Sequence, residues 1–251
     1  MRKNQKPNKF WKMKVSADSN DTADIFIYGE ITKWAWTEDG EHSATTFKEE
    51  LDSLGEVSTI NLYINSPGGS VFEGIAIHNM LKRHKAKINV HVDALAASIA
   101  SVIAMAGDTI FMPKNSMMMI HNPWTFTWGN AAELRKEADD LDRIGNSSKQ
   151  TYLQKAGDKL TDEKLQEMLD AETWLSAEEA FGYGLCDVVE EENNMVASIS
   201  EEVFSKYKNI PKQFAAKKSA TITAKEMAIR QKIAEEAKAN SAYLNTILGG
   251  I

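Results

Sequence analysis

Asp93-Ala-Leu-Ala-Ala-Ser-Ile-Ala-Ser-Val-Ile-Ala-Met-Ala-Gly107 is almost wholly small or aliphatic, with two hydroxyls, Ser98 and Ser101, set inside it. A strand-like run, Ala86-Lys-Ile-Asn-Val-His-Val92, leads in, and a β-branched segment, Thr109-Ile-Phe-Met112, leads out. The pattern predicts a strand that turns into a buried helix at a small-residue corner, which holds Ser98 rigidly at a helix N-terminus. Backbone N–H groups and the helix dipole favour developing negative charge at such a place. Ala96, Ala97 and Ala100 leave room for a second backbone to approach. Taken alone, an Ala/Ser-rich apolar helix is more often plain core, and Ser101, about one turn deeper, is expected to be buried packing.

Two flanking segments give the stretch its context. Upstream, Ile64-Asn-Ser-Pro-Gly-Gly-Ser70 is a strand ending in a glycine corner; downstream, Met117-Met-Met-Ile-His-Asn-Pro123 is an apolar strand that delivers His121 just before a proline. Strands are expected at 24–31, 59–65, 109–112, 117–120 and 185–189, and helices at 43–54, 71–82, 130–156, 161–169 and from Ser176 to Gly182 or Gly184. Asn130 with Glu133, and Ser176 with Glu179, read as capping boxes. Strand, glycine corner, helix, strand at intervals of about 30 residues implies right-handed βαβ units and an α/β fold. The Gly-Gly corner lacks the spacing of a Walker loop or a dinucleotide fingerprint, so nucleotide binding is not expected.

The chain has five histidines. His42, His78, His84 and His91 read as solvated or satisfied side chains; His121 stands apart by its setting downstream of Ser98. No His/Cys/Asp/Glu cluster has metal-ligand spacing, and no metal or cofactor is expected. A hydrophobic share of 43% and a charged share of 26% describe an ordinary globular chain. The net charge of −7 argues against a nucleic-acid surface. The single cysteine, Cys186, fits a reducing cytoplasm and reads as a small buried residue. No run approaches ~20 apolar residues, so no membrane span is expected. The first residues are basic without an apolar core or cleavage site, unlike a signal peptide.

Together the Pro-Gly-Gly corner, Ala96-Ala97-Ser98, Met-Ile-His121-Asn-Pro and Trp174-Leu-Ser-Ala-Glu-Glu-Ala-Phe-Gly-Tyr-Gly-Leu-Cys-Asp187 resemble the ClpP family of self-compartmentalised serine peptidases. Their order and intervals fit from about residue 24 to 189. At its ends the chain looks more like the ClpP-related head-maturation proteases of tailed phages.

The resemblance implies a ClpP/crotonase-type fold with a protruding handle helix at 130–156. It implies peptide-bond hydrolysis with Ser98 as nucleophile, His121 as base and then acid, and the N–H groups of Gly69 and Ile99 as oxyanion donors. Alignment on Trp174-Leu175-Ser176 puts Glu172 at the family's orienting aspartate, with Asp170 as the alternative. Stacked homo-oligomeric rings, polypeptide substrates and a separate Clp-type ATPase or a capsid or scaffold protein are the partners implied. The alternatives are a crotonase-like acyl-CoA hydratase or isomerase on the same fold, and a degenerate ClpP-like scaffold component.

In domain terms the expected division is an arm at 1–22, a peptidase domain at 23–190 and an extension at 191–251. Phe10-Trp11 in the arm read as aromatics available to a neighbour. The segment Pro123-Trp-Thr-Phe-Thr-Trp-Gly129 reads equally as a packed loop or as a substrate- or ring-contact surface. The charge after Ser200 is about +4, opposite to the acidic body.

Overall fold

The computed structural model describes residues 9–16, 19, 21–33, 43–192 and 207–211. The chain divides into two compact units, 1–209 and 210–251, and every element below lies in the first. Among the described residues the strands form one sheet of eight, with order β1-β2-β3-β4-β5-β8 and a branch in which β6 joins β4 and β7 joins β6.

The sheet is built outward from three parallel strands, β2 (Thr22–Tyr28), β3 (Thr59–Ser66) and β4 (Lys87–Ala97). Alternate residues Ile25, Ile27, Ile60, Leu62, Ile64, Val90 and Val92 are fully buried, as period-2 apolar patterning requires. On the other face, Phe26, Tyr63, His91 and Phe111 stack in a row across the strands, at centroid separations of 4.9, 5.1 and 4.7 Å. Such cross-strand aromatic pairs stabilise a sheet locally. His91 is therefore a satisfied strand histidine, as its sequence setting suggests.

Two helices, α1 (Ser43–Ser53) and α2 (Val71–Arg83), supply Phe47, Leu51, Ile77 and Leu81 to the core. The parallel crossovers confirm the α/β architecture. Cys186 is buried, its thiol donating to the Val188 carbonyl at 3.2 Å, and burial pushes its pKa up to about 11.

The N-terminal aromatics correct one expectation. Phe10 and Trp11 do not await a neighbour. β1 (Trp11–Val15) pairs antiparallel with β2, both rings are buried, and Trp11 meets Phe47 edge-on at 5.8 Å. A two-ring apolar anchor beside alternating Met13 and Val15 was enough to add an edge strand.

β4 also runs further than expected. Pairing with β6 (Met117–Ile120) keeps residues 95–97 extended, so the helix begins only after Ser98, as α3 (Ile99–Ala104). β5 (Thr109–Pro113) pairs with the first half of β4, at Asn89, Val90 and His91. The long helix α4 (Ala131–Ala156) opens on the expected Asn130/Glu133 capping box and buries only Lys149, Tyr152 and Ala156. Gly145 within it faces Pro123, where an added Cβ would lie 3.3 Å from Cδ. After α5 (Asp162–Asp170), a strand not foreseen, β7 (Thr173–Ser176), pairs antiparallel with β6. The Ser176/Glu179 box then starts α6 (Ala177–Gly182), and β8 (Val188–Glu190) closes on β5.

The glycine corner after β3 is locked. Ile31 N–H donates to the Gly68 carbonyl and Ser70 N–H to that of Ile31, both at 2.8 Å. Gly69 has φ +144, and a Cβ there would lie 2.1 Å from the Ile31 carbonyl oxygen. Gly69→Ala is therefore expected to lower the unfolding free energy by about 2 kcal/mol or more. A urea midpoint unchanged from the parent would show that the corner yields instead.

Candidate active site

Ser98 occupies the step between β4 and α3 with φ 55 and ψ −129. Among the described residues only Ser98 and Glu172 are non-glycine residues at positive φ. A non-glycine residue so placed costs about 1–3 kcal/mol, which its surroundings must offset.

They do so by hydrogen bonding. Ser98 N–H donates to the Met119 carbonyl at 2.8 Å. The Ser101 hydroxyl lies 2.6 Å from the Ser98 carbonyl and 3.2 Å from that of Met119, and the Tyr152 phenol is 2.7 Å away. Ser101 has one proton; with that proton on the Ser98 carbonyl, Tyr152 must donate to Ser101. Each such bond contributes about 1 kcal/mol. Ser101 is fully buried packing, as expected, but packing that braces the turn. Tyr152, the brace's far end, has no sequence signature beyond an aromatic in a polar helix.

The braced turn presents the Ser98 hydroxyl to His121. His121 Nε2 lies 2.7 Å from Ser98 Oγ. Burial lowers the imidazole's pKa, and the negative charge of Glu172 acts in the opposite sense. A lowered pKa keeps the ring neutral, as a base must be to accept the hydroxyl proton.

Gly68 packs against the turn so tightly that an added Cβ would lie 2.7 Å from Ser98 Cβ. Among the described residues, the N–H groups of Gly69 and Ile99 have no intramolecular acceptor. The cleft beside them encloses about 280 Å³, bounded by Glu30, Pro67, Gly69, Ser98, His121 and Tyr207. The described residues contain no group of three or more His, Cys, Asp or Glu able to hold a metal ion.

Neither acidic candidate meets His121. Asp170 accepts from Asn122 Nδ2 at 2.7 Å and from Gln166 Nε2 at 2.8 Å. Glu172 Oε1 accepts the backbone N–H groups of Lys208 and Asn209, both at 2.7 Å. Its charge reaches the ring through space, without a hydrogen bond.

No local sequence pattern marks Tyr207 as a site residue. Its hydroxyl donates to the Pro67 carbonyl, and its ring stands edge-on to His121 at 5.7 Å and to Trp174 at 6.0 Å. Burial raises its pKa, with the charges of Glu172 and Glu30 adding to the effect and Ser98 opposing it.

A serine at a braced strand–helix turn, an imidazole on its hydroxyl and uncommitted N–H groups beside it form an arrangement able to activate a serine hydroxyl, on an α/β scaffold. The comparisons place that scaffold. The chain belongs to the Clp protease family, whose model matches residues 14–193. It is 34% identical over 150 residues to the ATP-dependent Clp protease proteolytic subunit 1 of Salinibacter ruber, covering 59% of this chain and 63% of that one. It is 35% identical over 131 residues to the corresponding subunit of Pleurastrum terricola, covering 51% and 65%. For that of Streptococcus agalactiae the identity is 31% over 149 residues, covering 58% and 75%. The chain thus spans a little under two thirds of the first two relatives' length. No helix among the described residues is long and apolar enough to cross a membrane.

The ionisation of His121 can be read directly by NMR. Its ring is expected to titrate below the ordinary 6.5, because desolvation disfavours the cation. Glu172→Gln removes the opposing negative charge and should move the midpoint lower still. A midpoint at or above 6.5, or an upward move in the variant, would contradict this electrostatic account.

Proposed function

We propose that the chain is a serine endopeptidase of the Clp type, cleaving peptide bonds through an acyl-enzyme on Ser98. The observation that carries the proposal is the 2.7 Å contact between His121 Nε2 and Ser98 Oγ. A serine hydroxyl is a poor nucleophile near neutral pH and needs a neutral base within reach. His121 takes the proton as Oγ attacks the scissile carbonyl, then returns it to the leaving amine. The N–H groups of Gly69 and Ile99 receive the negative charge that builds on the carbonyl oxygen. Glu172 supplies the charge that stabilises imidazolium, through space in the arrangement described and by a hydrogen bond to Nδ1 once its carboxylate is free. A glutamate can serve in this role because it need only accept one N–H.

The single measurement that tests the proposal is covalent labelling of Ser98 by a fluorophosphonate, alongside hydrolysis of a short peptide. Ser98→Ala should abolish both with the circular dichroism spectrum unchanged, a loss of several orders of magnitude. Glu172→Gln should slow hydrolysis strongly and Asp170→Asn little; the reverse pattern would move the orienting role to Asp170. The missing Glu172–His121 hydrogen bond favours one other reading, a scaffold component with a degenerate site. Labelling of Ser101 in place of Ser98 would move the nucleophile, whereas labelling absent from every form, Tyr207→Ala and Lys208→Pro included, would establish the scaffold reading.

The working form in this proposal is a homo-oligomeric ring chamber, stacked through α4. Support comes from its exposure: Trp124, Phe126 and Trp128 are 49%, 87% and 91% exposed just before α4, and Leu134 on its first turns is 42% exposed. Large apolar side chains left exposed together in one segment suit a contact between molecules. Residues beyond the family match carry charge opposite to the body, which suits docking of a capsid or scaffold protein during phage head maturation. Any ATP-driven unfolding belongs to a separate partner. Native mass measurement should give a closed multiple of 28.0 kDa, and joint Phe126→Ser and Trp128→Ser substitution should shift it to smaller species. A monodisperse 28.0 kDa particle for the parent at micromolar concentration would exclude the ring.

A further inference from the structure

Residues 207–209 lie outside the part of the chain matched by the family, 14–193, yet Tyr207 lines the cleft at Ser98, and Lys208 and Asn209 line the hollow beside it that His121 and Glu172 border. Three sets of contacts hold them there. The Tyr207 hydroxyl donates to the Pro67 carbonyl, on the rim of the glycine corner. Its ring fits between the edges of His121 and Trp174. The next two residues each aim a backbone N–H at Glu172 Oε1, and Asn209 Nδ2 donates to the Ala171 carbonyl at 2.7 Å.

This arrangement reads a short peptide. A carbonyl at one end takes a phenol, two aromatic rings flank the side chain, and a carboxylate at the other end takes two successive amides. The phenol and aromatic edges select tyrosine, since an aliphatic side chain leaves the Pro67 carbonyl without that donor. Charge-assisted bonds from main-chain N–H groups to a carboxylate are strong and independent of the following side chains.

The same contacts conflict with turnover. Tyr207 fills space beside Ser98 and His121 that a scissile peptide must enter, and the two amides hold Glu172, the acidic group whose charge acts on His121. We infer that the cleft carries a subsite for a tyrosine-containing peptide, and that residues 207–209 fill it in cis. The free chain is therefore self-occluded, and a polypeptide gains the nucleophile by displacing them. Displacement also returns the Glu172 carboxylate to the histidine, so opening and activation are one event. The inference rests on the Ser98 peptidase reading for its catalytic consequence but not for the occupancy itself.

The test therefore has a chemical arm and a binding arm, both on the full chain. Fluorophosphonate labelling of Ser98 is timed in the parent, in Tyr207→Ala and in Lys208→Pro, which deletes one amide donor. Both variants should label about tenfold faster or more, because the competent fraction rises. The parent rate should not vary with protein concentration, as expected for an occupant on the same chain. In the binding arm, acetyl-Tyr-Lys-Asn-amide is titrated calorimetrically into Tyr207→Ala. It should bind there and slow labelling, whereas the parent should bind it far more weakly and acetyl-Ala-Lys-Asn-amide should bind neither.

Variants that label no faster than the parent, together with absent peptide binding, would overturn the inference while leaving labelling of Ser98 to support the peptidase. Peptide binding without labelling in any form would keep the subsite and overturn the peptidase reading instead. A concentration-dependent parent rate would transfer the occupant to a second copy and overturn the cis assignment. Circular dichroism on both variants identifies misfolding, and agreement between two unrelated substitutions removes it as an explanation.

Discussion

The backbone of Ser98 is the constraint on which the rest depends. A side chain at φ 55 is unfavourable, and the turn exists because several groups with no other task hold it. Ser101, Tyr152 and the Met119 carbonyl form a buried chain that ends on the Ser98 peptide. From the opposite side Gly68 comes close enough to exclude any side chain of its own. The small residues of 93–107 are needed for this packing rather than for helix propensity. Replacing them with larger apolar groups would keep hydrophobicity and lose the turn.

Strand register then places the imidazole of His121. β4 uses its first half for β5 and its second for β6, so the sheet forks where the strand approaches the turn. In the β6 arm Ala97 is opposite Met119, which puts His121 two residues beyond the carbonyl that binds Ser98 N–H. A slip of one residue would turn His121 to the other face of the strand. Four consecutive buried residues, Met117, Met118, Met119 and Ile120, with β7 on the far edge, hold that register. The 2.7 Å contact at Ser98 is thus a consequence of sheet pairing.

What the sequence made legible follows from how local each signal is. Capping boxes at Asn130 and Ser176, the glycine corner and the alternation in β2 and β3 are short-range patterns, and the structure shows each of them. The pair Ser98 and His121 was legible only through the family resemblance of Ala96-Ala97-Ser98 and Met-Ile-His121-Asn-Pro, since either string alone reads as plain core. The extension of β4 to Ala97 was not, because residues 93–97 are as compatible with a helix as with a strand until β6 pairs with them. Phe10 and Trp11 read outward for a similar reason: a short aromatic pair in a charged segment does not reveal the Phe47 ring it meets. Tyr152 and Tyr207 contribute through contacts 51 and 140 residues distant in sequence, a separation no local pattern encodes.

The acidic position shows where positional reasoning stops. Aligning Trp174-Leu175-Ser176 locates a backbone position for Glu172, and Glu172 is indeed set apart, at φ 51 just after α5. The partner of a carboxylate, however, is settled by which donors lie around its rotatable arm. Two main-chain N–H groups at 2.7 Å outcompete one imidazole N–H at that oxygen. Both donors come from residues 208 and 209, beyond the segment that carries the family pattern. The extra methylene that distinguishes glutamate from aspartate gives the carboxylate a longer arm with which to reach either set of donors. A residue that shortened the arm would have less freedom to change partners, so glutamate at this position suits the exchange of donors proposed above.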